Sequence, residues 1–291
     1  VKPITTAIFP VAGLGTRFLP VTKAAPKEML PIVDKPVIQY VVEEAVAAGI
    51  THLVFVTSGG KRAIEDYFDS NYELEVRLKE SGKDAALSVV QNILPSHVRF
   101  SYVRQPHPLG LGDAVLSAKH VVGEMPFAVL LADDIIDCGN KNCLQMMVDI
   151  YKKTQANIIA VEEIPKDQTD KYGIVSIASR EGQKYITNII EKPAPQQAPS
   201  NLAVTGRYIL SPAIFSCLEK IGRGVGGEIQ LTDAIALLLA QEKFIAYQFA
   251  GHRYDCGSRL GLLKATIAYA MKRPDLHDGL CDYLNQLLLK K

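Results

Sequence analysis

Four short strand-like runs, three of them largely apolar, constrain this chain more than any other feature. Residues 4–11, 53–56, 98–103 and 127–132 are each of strand length, and enough chain for a helix lies between consecutive runs. Continuous apolar runs suit fully buried strands, and strand–helix–strand spacing argues for βαβ units and a parallel sheet. Between the first two runs, Pro36 opens a helical pattern with Val37, Val41, Val42, Ala45 and Val46 on neighbouring faces. Gly49 suits its C-terminal cap. Ser58-Gly59-Gly60 turns the second run into an amphipathic helix near 62–68, and 72–92 is charged and mostly helical. Helices are predicted over 114–122 and 142–153, with a further strand at 158–161.

From about Tyr172 the rhythm changes. Residues 172–177, 185–191 and 202–210 are strand-like with few helical residues between them, which predicts a smaller antiparallel lobe built on the first sheet. Helices return at 212–221 and 228–240, then a strand at 244–249 that Asp255-Cys256-Gly257 closes. Two amphipathic helices, 260–270 and 276–289, follow. Leu280, Tyr283, Leu284 and Leu287 make an apolar stripe that predicts packing on the core or on a partner subunit.

Composition narrows the function classes. The 291 residues suit one large domain or two, and a net charge of +1 gives no whole-molecule argument for nucleic acid or an anionic membrane. Any anion site must be local. The five cysteines are irregularly spaced with no CxxC pair, which argues against a zinc ribbon or a disulfide framework and for a reduced, cytoplasmic compartment. No apolar run approaches the length of a membrane span, and Val-Lys-Pro-Ile lacks the pattern of a signal peptide.

The first run enters a short glycine turn, Gly13-Leu14-Gly15, followed at once by Thr16 and Arg17. The next stretch is rich in proline (Pro20, Pro26, Pro31), reads as an ordered loop, and carries a second cation, Lys27. Backbone N–H groups freed by glycines, together with two cations, suit a polyphosphate. The two common glycine motifs fail. A dinucleotide-binding turn needs a third glycine where Phe18 stands, and Gly60-Lys61 has Phe55 at the first glycine of a Walker loop and Arg62 at its hydroxyl position. The 127–132 run stops at Asp133 and Asp134, and Asp255 ends a later strand. Carboxylates beyond the strand ends of a parallel sheet are placed for Mg²⁺, which favours oxygen ligands and phosphate partners. Glu191-Lys192 ends another strand, a carboxylate for sugar hydroxyls beside an ammonium for phosphate. No Ser-His-Asp or Cys-His arrangement stands out.

Together these residues resemble the sugar-1-phosphate nucleotidylyltransferases, in the wording of the bacterial branch that uses UTP and glucose 1-phosphate. The likeness lies in Phe9-Pro10-Val11-Ala12-Gly13-Leu14-Gly15-Thr16-Arg17-Phe18-Leu19-Pro20, in Pro26-Lys27-Glu28-Met29-Leu30-Pro31 and in Asp34-Lys35-Pro36. It continues through Gln105 with Gly110-Leu111-Gly112-Asp113, Ala132-Asp133-Asp134, Lys171-Tyr172-Gly173, Ile190-Glu191-Lys192-Pro193, Gly227-Glu228-Ile229-Gln230-Leu231-Thr232-Asp233 and Tyr254-Asp255-Cys256-Gly257. It therefore spans nearly the whole chain, in order.

The resemblance implies a nucleotide-diphospho-sugar transferase fold, Rossmann-like: a mixed, mainly parallel sheet flanked by helices, with a smaller sugar-side lobe. Residues 1–170 would form the nucleotide-binding part, 171–258 the sugar-binding part and 259–291 C-terminal helices. It implies uridylyl transfer from UTP to glucose 1-phosphate with Mg²⁺, in a homodimer or homotetramer. Ala12 and Gly13 would meet the uracil by backbone and Gln105 by side chain, with Gly110 close by. Arg17 and Lys27 would hold the triphosphate and Lys192 the sugar phosphate. Gly173, Glu191 and Val204 would line the glucose, Asp133 and Asp255 would hold the metal, and Glu28 and Glu228 would be pocket residues. Ala132 stands where relatives often have Gly or Pro, which leaves Asp133 in place. The same chemistry with dTTP, and a non-catalytic regulatory homologue, are the alternatives. Thr16 and Arg17, lost in weakly active relatives, favour an enzyme. A nicotinamide oxidoreductase is disfavoured by Phe18.

Overall fold

Residues 2–180 and 182–289 are described in a computed structural model of the chain. The strands are β1 (Thr6–Pro10), β2 (Pro31–Ile32), β3 (Lys35–Pro36), β4 (His52–Thr57), β5 (Arg99–Arg104), β6 (Phe127–Leu130), β7 (Asp134–Asp137), β8 (Asn157–Glu163), β9 (Gly173–Arg180), β10 (Gln183–Glu191), β11 (Leu202–Leu210), β12 (Phe244–Gln248) and β13 (His252–Asp255). The helices are α1 (Val37–Ala47), α2 (Arg62–Phe68), α3 (Tyr72–Glu80), α4 (Asp84–Gln91), α5 (Leu111–Ser117), α6 (Lys119–Val122), α7 (Cys143–Thr154), α8 (Ala213–Leu218), α9 (Leu231–Leu238), α10 (Arg259–Met271) and α11 (His277–Leu289).

Nine strands form one sheet in the order β5-β4-β1-β6-β11-β8-β12-β10-β9. Strands β5, β4, β1 and β6 are mutually parallel, and only β11 and β10 run against the common direction. The apolar runs are continuous because both sheet faces are covered. In β1, Ala7 and Phe9 enter the core layer under α1, α7 and α10, while Ile8 enters the layer under α5, α8 and α9. In β4, Phe55 goes to the first layer and Val54 and Val56 to the second.

The strands after Tyr172 do not build a separate sheet. They extend the first one, and β11 lies in its middle between β6 and β8. Its register against β8 shifts between Val204 and Tyr208, and Ala203, just before the shift, also pairs with Ile174 of β9.

Several element bounds differ from expectation for local reasons. The charged stretch 72–92 is two helices, because Gly82 takes a left-handed φ of 65° between them. The predicted helix 114–122 starts earlier, at Leu111, and divides at Ala118. The strand 127–132 ends at Leu130, and Asp134 opens β7 instead of terminating β6. Asp255 closes β13, a strand distinct from β12, and β13 pairs with β7 in a two-stranded antiparallel ribbon. The stripe on α11 is not packed into this chain's core: Tyr283 and Leu287 stay exposed and no residue of that helix is buried.

Candidate active site

The site is built on a turn. Between β6 and β7 the chain reverses through Leu131-Ala132-Asp133, and the shifted segment of β11 supports it from behind. Leu131 N–H donates to Gly206 O at 2.8 Å, and a side chain at 206 would run into Leu131 and Asp134. Arg207, fully buried, donates to Leu131 O at 3.1 Å, to Asp134 O at 2.6 Å and to Glu44 Oε2 at 2.7 Å. Asp134 is buried too. Its Oδ1 accepts from Arg253 Nε at 2.7 Å and its Oδ2 from Gly206 N–H at 3.3 Å. Asp134 is thus committed to the fold and Asp133 is left to face the cleft.

Asp133 Oδ2 pairs with Lys27 Nζ at 2.5 Å. Burial penalises its charged form most, but the charge and hydrogen bond of Lys27, with backbone donation and Arg253, together outweigh it and hold the carboxyl below 3.8. Across the ribbon Asp255 lies opposite Asp134 in register, and its Oδ1 accepts the Gly257 N–H at 3.0 Å. Burial first, then the charges of Asp134 and Asp133, push the Asp255 carboxyl up. A Cβ on Gly257 would sit 2.7 Å from Asp133 Oδ2 and 3.0 Å from Asp255 Oδ1, so the two carboxylates flank one glycine. This is a hard-oxygen pair, with Lys27 as the cation on Asp133. Among the described residues no group of three or more His, Cys, Asp or Glu could hold a metal by itself.

A cleft of about 1000 Å³ opens over this turn. Its walls bring together Arg17, Asp133, Asp255, Gly173, Glu191, Lys192, Val204 and Glu228 from the expected set. Lys192 takes a left-handed φ of 46°, uncommon for a non-glycine residue, with its N–H bonded to Tyr172 O at 3.0 Å. Its Nζ lies 3.3 Å from Glu191 Oε1. An adjoining space of about 220 Å³ is lined by Gly15, Thr16, Arg17, Phe18, Lys27 and Gly257, so Arg17 belongs to both.

Ala12, Gly13, Gln105, Gly110 and Glu28 do not line the cleft. The first three follow the carboxyl ends of β1 and β5, where Ala12 O accepts from Ser58 Oγ at 3.1 Å and Gln105 N–H donates to Thr57 O at 2.8 Å. Gly13 is exposed, with open space over it. Gln105 Nε2 donates to Gly110 O and to Asp113 Oδ2, at 3.3 and 2.6 Å. Gly110, at φ 108°, abuts Glu228, because a backbone strap joins Ile229 N–H to Leu109 O and Gly112 N–H to Ile229 O. Glu28 is buried against Lys61 Nζ at 2.8 Å, and its Oε1 finds no partner. Burial is the main reason its carboxyl is pushed up.

Sequence reasoning did not single out Lys61, Arg207, Arg253 or Thr232. Arg253 carried no visible signal, yet it joins Asp134 to Glu162 and lies over the Tyr172 ring. Thr232 could have been found, since it sits in the segment Gly227–Asp233 that carried the resemblance.

The carboxyl edge of the mixed sheet thus gathers cations and a carboxylate pair, a set of groups suited to phosphate and its counter-ion. The sequence profile of nucleotidyl transferases matches residues 7–272, and the chain belongs to that family. Within it, the chain is 49% identical over 294 residues to the UTP–glucose-1-phosphate uridylyltransferase of Bacillus subtilis, covering 100% of this chain and 99% of that one. It is 48% identical over 289 residues to the enzyme of the same name from Streptococcus pneumoniae serotype 4, covering 98% and 96%. Among solved structures it resembles a UTP-bound enzyme from Acinetobacter baumannii (TM-score 0.88, 47% identity, 98% and 99% covered). It also resembles a UDP-glucose pyrophosphorylase complexed with UDP-glucose (TM-score 0.85, 47% identity, 93% and 100% covered).

Proposed function

We infer that this chain transfers a uridylyl group from UTP to glucose 1-phosphate, releasing pyrophosphate. The observation that carries this reading is full-length likeness to uridylyltransferases combined with a cleft that gathers Arg17, Lys192, Asp133 and Glu191. A glucose 1-phosphate oxygen forms the new bond to the α-phosphorus of UTP as the bond from that phosphorus to the leaving pyrophosphate breaks. A phosphate nucleophile is already ionised at neutral pH, so no general base is required, in keeping with a site built from cations and carboxylates. Arg17 and Lys27 hold the triphosphate, and Lys192 holds the sugar phosphate beside Glu191. Gly173, Glu191, Val204 and Glu228 shape the sugar side. Ala12, Gly13, Gln105, Gly110 and Glu28 serve the nucleotide side. Positioning and charge stabilisation carry the rate.

Asp133 and Asp255 would hold Mg²⁺. The fit rests on their oxygen-only donor set and on the shared space at Gly257, and one or two carboxylates completed by substrate phosphates are what this ion takes. When bound, the ion supplies positive charge to the phosphate oxygens. Lys27, which pairs with Asp133, lies beside Gly15, Thr16 and Arg17 and would supply a further positive charge for the phosphates.

The assembly is a homodimer or homotetramer in the cytoplasm. Its support is the apolar face of α10 and α11, where Leu260, Leu263, Tyr283 and Leu287 stay exposed, and no helix among the described residues is long and apolar enough to cross a membrane. The thymidylyl alternative is not favoured, since likeness to a thymidylyltransferase structure from Bacillus anthracis is 22% in identity and extends to the fold alone. Pyrophosphate release with glucose 1-phosphate and each of UTP, dTTP, GTP, CTP and ATP, with and without Mg²⁺, tests the reading. UTP with Mg²⁺ gives the fastest turnover; no turnover with any pair returns the protein to the regulatory class.

A further inference from the structure

Glu191 ends β10 at the cleft, and both its carboxylate oxygens already have partners. Oε1 lies 3.3 Å from Lys192 Nζ. Oε2 accepts from Thr232 Oγ1 at 2.9 Å, across 41 positions of chain. Thr232 sits in the first turn of α9 and is buried. A helical threonine commonly turns its hydroxyl back on its own helix carbonyls. Here it leaves the helix for the carboxylate. Its methyl is used as well: a Cβ on Gly173 would meet Thr232 Cγ2 at 2.9 Å and approach Glu191 Oε2 to 3.4 Å. The hydroxyl and the methyl of one side chain thus fix the carboxylate and the wall beside it. All three residues line the cleft.

We propose that Thr232 is a positioning residue that sets the sugar selectivity of the cleft by holding Glu191 in one orientation. The inference rests on Glu191 serving the sugar. A carboxylate clamped on one oxygen presents its remaining lone pairs in fixed directions, and a fixed acceptor rejects a sugar whose hydroxyl is inverted. Released from Thr232, Glu191 keeps only Lys192 as partner and swings toward it. That loosens recognition of the sugar and ties up the cation meant for its phosphate.

The test compares Thr232→Val, Thr232→Ser and Glu191→Gln by steady-state kinetics, with glucose 1-phosphate and galactose 1-phosphate as acceptors. Loss of one hydrogen bond to a charged group predicts that Thr232→Val raises KM for glucose 1-phosphate about tenfold or more. The preference for glucose over galactose 1-phosphate, as a ratio of kcat/KM, falls by about the same factor, and KM for UTP stays within about twofold. Thr232→Ser, which keeps the hydroxyl, stays within about threefold of the parent on both measures. An unchanged glucose/galactose ratio in Thr232→Val overturns the proposal, as does a Thr232→Ser variant as impaired as Thr232→Val, since packing would then be the whole role. If Thr232→Val does not fold, Thr232→Ala carries the same prediction. Glu191→Gln separates the two levels: if it leaves KM for the sugar phosphate unchanged, the sugar-side reading of Glu191 falls. If it impairs binding while Thr232→Val does not, only the role of Thr232 falls.

Discussion

Two ion pairs serve the turn at 131–134 from opposite sides. Behind it, Arg207 and Glu44 are sealed from water, with side chains 0% and 10% exposed. In front, Lys27 and Asp133 open on the cleft, at 22% and 25%. The rear cation is fully engaged: it bonds Glu44 and the carbonyls of Leu131, Gly206 and Asp134, so it has nothing left for a ligand. The front cation bonds one carboxylate and keeps donors in reserve. Similar charges on two sides of one turn are therefore placed differently, one spent on the turn and the other open to a ligand.

Removing the rear cation should have the largest effect. Arg207→Met leaves Glu44 charged and buried, and is expected to cost about 3–5 kcal/mol in urea unfolding. Arg207→Met with Glu44→Leu should recover much of that, because no lone charge remains. If the single variant is as stable as the parent, the rear pair does not hold the turn. In front, Lys27→Met should cost less stability than Arg207→Met, while kcat falls by about 2.7–4 kcal/mol of barrier, or roughly 10²–10³-fold, by analogy with other charge-stabilising donors. Arg17→Ala and Lys192→Ala should lose about 10²-fold or more with the fold intact. A near-parental rate in any of these would remove that residue from the phosphate-holding set.

The smallest effect concerns pH. The Asp133 carboxyl is held below 3.8, so its pair contributes stability that is complete above that value and is lost as pH falls through the depressed one. Lys27 is raised above 10.5: burial opposes this most, and the charges of Asp133 and Glu28 more than compensate. Its contribution is complete below 10.5 and lost as pH climbs through the raised value. Urea titrations of metal-free protein should show a shallower acid limb for Asp133→Asn than for the parent. Equal limbs would mean that the pair does not persist in solution.

These two pairs also show what sequence reading reaches. The buried strands were legible because both faces of β1 and β4 are covered, which forces unbroken apolar runs such as Leu53-Val54-Phe55-Val56. Arg17, Asp133, Glu191 and Lys192 were legible because each stands at a strand exit or glycine turn. Arg207 was not, since a single arginine in an apolar strand says nothing of a carboxylate 163 positions away. Lys61 was read only as the end of a failed Walker loop, because burial against Glu28 is a tertiary fact. Gly110 and Gly112 were read only as part of the resemblance, and the close approach of Ile229 O, a tertiary fact, is what requires a glycine at 112. The ribbon of β7 and β13 was missed because four-residue strands carry too little periodicity to register.

The start of α10 links the two ends of the site mechanically. Asp255 lies four positions before Arg259, whose Nε donates to Arg17 O at 2.9 Å. Farther along the chain, Lys272 pairs with Asp137 at the end of β7, and Arg273 with Asp34. The helix is thus tied down at several points, with Asp255 just before its first turn and the backbone of Arg17 held upon it. One helix therefore anchors Asp255 and the Arg17 loop together, while Leu260 and Leu263 on it stay exposed.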